Sequence, residues 1–133
     1  MKEEIDDATR AALISYRLER ANETLKEAKL LTDNGFFNAA VNRLYYSCYY
    51  AVQALLIKNK ISAHTHAGVK TSFGMQFVAT GIVPIKIGKT FSTLFEKRQS
   101  SDYEDFIICD KEDAEILTSK AIEFIKTIEE LIK

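Results

Sequence analysis

The chain has no tryptophan, a single proline and two cysteines without CxxC spacing. Cys48 and Cys109 lie among apolar neighbours, so two reduced, buried thiols are expected. A chain of 133 residues needs no staple, because a domain of that size buries roughly two thirds of its unfolded surface. The two histidines, His64 and His66, have no further histidine or nearby cysteine to complete a metal site, and no metal or other cofactor is expected. Charge of one sign is not in excess: the net charge is −1, with 28% charged residues. That balance excludes a general pull toward nucleic acid or anionic lipid and leaves only local patches. No glycine-rich phosphate loop, GxSxG, HExxH or DxD-type motif occurs. The lysines and arginines are dispersed, which argues against a DNA-reading element. The longest apolar stretch, Leu44–Ile57, is interrupted by Ser47 and Gln53 and is shorter than the ~18–20 residues that span a bilayer. The opening MKEEIDD is acidic and no apolar segment follows it, unlike a secretory signal. A soluble, cytoplasmic protein without membrane contact is the expectation.

What is present is helical periodicity. Asn38–Lys58 reads NAAVNRLYYSCYYAVQALLIK, and fifteen of these residues are apolar or aromatic on all sides of a helical wheel. Such a helix is a central one, covered by neighbours. The neighbours are predicted over Thr9–Thr32, His66–Ala79, Pro84–Ser100 and Lys111–Ile132, with the central helix itself over Phe36–Asn59. Gly35 is the expected left-handed cap after the first helix. Thr65 or Ser62 is the expected cap of the third, Pro84 the first-turn proline of the fourth, and Asp110 with Asp113 the cap of the fifth. Gly68 and Gly74 suit close approach to another helix or a partner. No repeat, low-complexity segment or domain boundary is visible, so residues 1–133 form one all-α domain, an up-and-down bundle of four to five helices.

Alternation of helices places residues. It predicts that His64, His66, the start of the third helix, Arg98, Asp102, Tyr103 and the start of the fifth helix gather at the end where the central helix finishes. Two imidazoles, a guanidinium, a carboxylate and a phenol can bind phosphate or, with a histidine base, cleave RNA without metal. The bland alternative is that Arg98 and Asp102, four apart on one helix, pair with each other while His66 packs at a helix start. A second candidate is Arg43 with Tyr46 and Tyr50, on one face of the central helix, for a ligand or an oligomer interface. Its alternative is a core stripe in which Arg43 pairs with Glu19 or Glu23 of the first helix.

Four segments resemble one family. Ala39–Ala51, AAVNRLYYSCYYA, is similar to the central helix of HEPN-domain proteins, especially small stand-alone prokaryotic ones. Tyr16–Ala21 (YRLERA), His64–Val69 (HTHAGV) with Phe73, and Arg98–Tyr103 (RQSSDY) resemble its first helix, third helix and fourth-helix exit, in that order. The resemblance implies an all-α bundle that commonly dimerises. It also implies a metal-independent RNase, often a toxin, paired with a minimal nucleotidyltransferase. The family motif is Arg, four to six residues, then His. Arg98 matches the Arg, but Tyr103, Glu104 and Asp105 stand where His belongs. A non-catalytic or weakly catalytic subunit that binds a nucleotidyltransferase partner, a nucleotide or RNA follows from that departure. The alternatives are an RNase toxin using Arg98 with His66 or Tyr103, and a purely structural dimer module.

Overall fold

The computed structural model describes residues 5–103 and 109–133, with side chains described over 5–98 and 109–133. Five α-helices follow in order: α1 (Asp7–Asp33), α2 (Phe37–Lys58), α3 (His66–Phe73), α4 (Ile85–Tyr103) and α5 (Lys111–Ile132). A π-helical turn, Gly74–Val78, continues α3. No helix among the described residues is long and apolar enough to cross a membrane.

Local chemistry sets the boundaries. Asp6 Oδ1 accepts the Thr9 amide at 2.7 Å and opens α1. The helix closes with Gly35 at φ +84°. There the Phe36 amide reaches back to the Leu31 carbonyl and the Gly35 amide to Thr32, a Schellman closure that suits a residue without Cβ. The end of α2 repeats this pattern, with Ile61 bonded to Leu56, but its left-handed position holds Lys60 at φ 60°. Thr65 caps α3 by accepting the Gly68 amide at 2.9 Å. Asp110 and Asp113 form a reciprocal capping box at α5. Pro84 sits one position before its expected place: its carbonyl accepts the first helical bond of α4, from the Gly88 amide, so it is the cap residue.

Within the chain, Gly68 and Gly74 do not meet another helix. A Cβ at Gly74 would meet nothing within 4 Å, and one at Gly68 would press on the capping oxygen of Thr65 at 2.9 Å. The close helix approach occurs instead at Gly88, where a Cβ would stand 2.7 Å from Val78 Cγ2.

The centre of the bundle is α2, packed between α1, α4 and α5. Leu44, Cys48, Ala51, Val52 and Leu55 are almost fully buried. Aromatic rings tie three helices to it: Tyr45 stacks on Phe91 at 5.7 Å, and Phe91 stacks on Phe124 at 5.9 Å. Phe73 meets Phe91 and Phe124 edge-on. Both cysteines are free and buried, and burial pushes the Cys48 thiol up to about 12.

The ends of the bundle meet in a different way from the alternation expected. The Cys109 amide donates to Asn38 Oδ1 at 2.8 Å, so α5 starts beside the beginning of α2, not beside its end. His66, at the start of α3, lies against Tyr45, Tyr46 and Tyr49 in the middle third of α2. The physical reason is the loop after α2. Residues 59–65 descend along α2 before α3 begins. The distance from Lys58 back to Tyr46 is about 18 Å at 1.5 Å per residue, within reach of seven extended residues. An extended loop thus replaces one helical pass and reverses the direction of every later element.

Candidate functional site

The site is built on α2 from the tyrosines of two consecutive turns. Tyr45 is fully buried, and its hydroxyl has a partner in His66 Nδ1 at 2.8 Å. The imidazole stacks on Tyr49 with centroids 4.3 Å apart and meets Tyr46 edge-on at 5.8 Å. Helix α4 delivers Arg98, whose guanidinium stands 5.5 Å from the centroids of both Tyr45 and Tyr46. His66 and Arg98 therefore share two rings at the waist of the bundle. Neither belongs to the end of α2 where helix alternation would have put them.

Electrostatics follow from this enclosure. Burial, and then the Arg98 charge, hold the His66 imidazole below its ordinary value, so it is neutral at pH 7. Burial raises the Tyr45 phenol well above its usual range, with Arg98 acting in the opposite sense, and burial likewise raises Tyr49. Tyr45 stays a protonated hydroxyl. If it donates to Nδ1, Nε2 carries the proton and is a donor toward a ligand. If Nδ1–H donates to the phenol oxygen, Nε2 is a base. One hydrogen bond therefore sets whether His66 binds or accepts a proton.

The other candidates divide. His64 is exposed in the loop, and none of the ring contacts just described involves it. Asp102 and Tyr103 belong to the last turn of α4, and their side chains lie outside the described residues, as does the expected Arg98–Asp102 pair. The N-terminus of α5 is at the opposite end, beside Asn38, so only the N-terminus of α3 adjoins the cluster. Arg43 is not paired with Glu19 or Glu23. Its carboxylate is Glu27, at 3.8 Å, while it also donates to Asn42 Oδ1 and lies 4.9 Å over the Tyr46 ring. The register explains the correction: α1 and α2 fold back at Gly35, and Glu27 and Arg43 stand eight residues either side of it.

An arginine that the sequence pattern did not single out, Arg20, also faces this aromatic strip. Arg20 and Tyr50, each fifteen residues from Gly35, meet with the guanidinium 5.4 Å over the ring. Arg17 lies 5.8 Å over the Tyr16 ring, its charge opposes the rise in the Tyr49 phenol, and its Nε is buried without a hydrogen-bond partner among the described residues. The available signal was the turn-centred register, not a motif.

These features fit one family, and the chain belongs to it: the model of the HEPN domain matches residues 14–131. A UPF0332 protein of Thermotoga maritima is 39% identical over 121 residues, which cover 91% of this chain and 92% of that protein. A Methanocaldococcus jannaschii protein named "Putative toxin MJ0142" is 34% identical over 108 residues, covering 81% of this chain and 74% of its own. Among solved structures, the crystal structure of ST0689, an archaeal HEPN homologue, superposes with a TM-score of 0.73 at 19% identity, covering 90% of this chain and 98% of that one. At that identity the likeness concerns the fold.

Proposed function

We propose that this chain is a HEPN subunit that holds the phosphate of a nucleotide or an RNA strand at the Arg98–His66 cluster. In this reading it works in the cytoplasm as a homodimer beside a nucleotidyltransferase partner. The observation that carries the reading is the shared seat of His66 and Arg98 on Tyr45 and Tyr46. A guanidinium supplies a planar fork of donors for a phosphate, and a neutral imidazole beside it supplies a donor or an acceptor as its tautomer dictates. Calorimetric titration with ATP and with a short oligoribonucleotide tests it. Binding that falls roughly tenfold to a hundredfold in Arg98→Ala, at unchanged melting temperature, supports the reading. Absence of binding by the wild-type chain ends it and leaves a structural dimer module.

A second reading, a metal-independent RNase toxin, is favoured by the depressed proton affinity of His66 and by the toxin name of the archaeal relative. With Nδ1–H donated to Tyr45, Nε2 takes the proton of a ribose 2′-hydroxyl. The 2′-oxygen bonds to phosphorus, the bond to the 5′-oxygen breaks, and that oxygen takes a proton from water. Arg98 stabilises the charge that builds on the phosphate. This reading requires growth arrest on expression and RNA cleavage that persists in EDTA, both lost in Arg98→Ala and in His66→Gln. Intact RNA and normal growth would exclude it.

A further inference from the structure

The near-neutral charge of the whole chain hides an uneven distribution. Residues 34–98 carry eight lysines and arginines against one carboxylate, Glu96. The other eighteen carboxylates lie before residue 34 or after residue 98. Helices α2, α3 and α4, which build the Arg98–His66 cluster, are therefore the positive part of the bundle, and the potential around the cluster favours an anion.

One further cation of this part adjoins the cluster. Lys70 follows His66 by four residues, so both side chains leave the same face of α3. Its ammonium stands 5.2 Å from the centroid of the Phe95 ring, and Phe95 meets Tyr45 edge-on at 6.0 Å. Tyr45 is also the ring that His66 and Arg98 approach, at 5.8 and 5.5 Å. His66, Lys70 and Arg98 are thus gathered around Tyr45 and Phe95 from two helices.

A purely structural account would make Lys70 a charge at a helix end or half of an ion pair. Neither applies. Helix α3 continues into its π-helical turn, whose last residue, Val78, is eight residues beyond Lys70, and a helix dipole acts only within the final turn. Among the described residues no carboxylate pairs with Lys70. The Phe95 ring attracts the charge, but it gives the N–H donors of the ammonium no oxygen to bond. Lys70 is partly exposed, so those donors are open to a ligand.

Resting on the reading that Arg98 holds a phosphate, we infer that Lys70 holds a second phosphoryl group linked directly to the first, so that the cluster selects a diphosphate or triphosphate group over a single phosphate. Phe95, on which Lys70 is seated, precedes Arg98 by three residues, an offset of about 4.5 Å along α4. Linked phosphoryl groups engage both cations through bonds of the usual ~2.7–3.2 Å. A single phosphate engages Arg98 alone. The guanidinium fork fixes the orientation of the inner phosphoryl, and the ammonium, a point charge with rotatable donors, follows the outer one.

The test is calorimetric titration of the full chain with AMP and with ADP, both in EDTA so that no divalent cation screens the phosphates. ADP is expected to bind about tenfold to a hundredfold more tightly than AMP, as one added charged hydrogen bond allows. Lys70→Met keeps an unbranched side chain over Phe95 and removes the ammonium, and it abolishes that preference. Lys70→Arg retains it. Lys89→Met, which removes an exposed charge of the same positive part, leaves it intact. Arg98→Ala weakens both nucleotides, which tests the earlier reading separately. Equal affinity for AMP and ADP in the wild type, or a preference that survives in Lys70→Met, overturns the assignment even where Arg98→Ala abolishes binding. An equal fall in Lys89→Met also overturns it, because the general field then selects the diphosphate. Binding of neither nucleotide overturns it as well, and an oligoribonucleotide that still binds through Arg98 then keeps the earlier reading. Circular dichroism checks folding, and Lys70→Gln replaces Lys70→Met if that variant fails to fold.

Discussion

The central helix has two aromatic neighbourhoods that differ in what their rings carry. On one side Phe73, Phe91 and Phe124 meet at 5.6–5.9 Å, almost fully buried and without a polar atom. On the other, Tyr46, Tyr49, Tyr50 and His66 meet at 4.3–6.2 Å, but hydroxyls, an imidazole and the guanidiniums of Arg20, Arg43 and Arg98 surround them. Tyr45 belongs to both: its ring stacks on Phe91 and its hydroxyl reaches His66. Ring spacing is therefore no guide to role. The phenylalanine side gains from removal of apolar area from water, a term that charge and pH hardly touch. The tyrosine side keeps polar atoms at its edge, where a ligand can compete for them.

The two sides should respond differently to substitution. Phe124→Ala leaves a cavity among Phe73, Phe91 and α2, and a loss of about 3–5 kcal/mol is expected in urea unfolding. Tyr50→Leu on the partly exposed tyrosine side should cost less than Phe124→Ala in the same assay; a comparable loss at both positions would erase the distinction. Gly88→Ala probes the tight side again. Its Cβ would meet Val78 at 2.7 Å, and overpacking of this kind costs about 1–3 kcal/mol, readable as a lowered melting temperature.

Smaller effects probe the boundary between the two sides. Tyr45→Phe keeps the stacked ring and removes the hydroxyl, so a stability loss near 1 kcal/mol is expected. Nitrogen chemical shifts should show the His66 tautomer released. Unchanged shifts would mean that Tyr45 does not set it. His66 should also carry a pH signature. Its folded value is depressed by burial and by Arg98, so the folded chain binds fewer protons than the unfolded one, whose value is about 6.5. The contribution is complete above that pH and is lost as pH falls through the folded value. The stability difference between wild type and His66→Gln should therefore shrink below about pH 6.5, and a flat difference would show that the ring is not held neutral. Last, Lys60→Gly relieves a left-handed backbone in the loop between α2 and α3. A gain of roughly 0.5–1 kcal/mol is expected, seen as a small rise in melting temperature without change in ligand affinity.

Much of the frame was legible from local patterns. The five helices, the caps at Gly35, Thr65 and Asp110, and the burial of α2 follow from periodicity and from which residues satisfy helix ends. So does the pairing of α1 with α2, although its exact register, Glu27 against Arg43, needed the turn centre to be used as a ruler. What was not legible was the loop 59–65. Nothing in its residues distinguishes a loop that stays at the end of α2 from one that runs back along it. That choice inverted α4 and α5, removed the α5 N-terminus from the site, and moved His66 and Arg98 to the waist. The arginines were read as dispersed because they are dispersed in sequence.

The sequence by itself determined the helices, their ends and the apolar faces, because those depend on contacts within a few residues and on hydrophobic period. It also carried the family, through short segments in a fixed order. Only the tertiary structure decided that Arg20, Arg43 and Arg98 face one row of tyrosines, and that His66 shares Tyr45 and Tyr46 with Arg98. Those neighbours come from three helices and a loop, and their meeting depends on the direction the chain takes after α2, which no local interaction specifies.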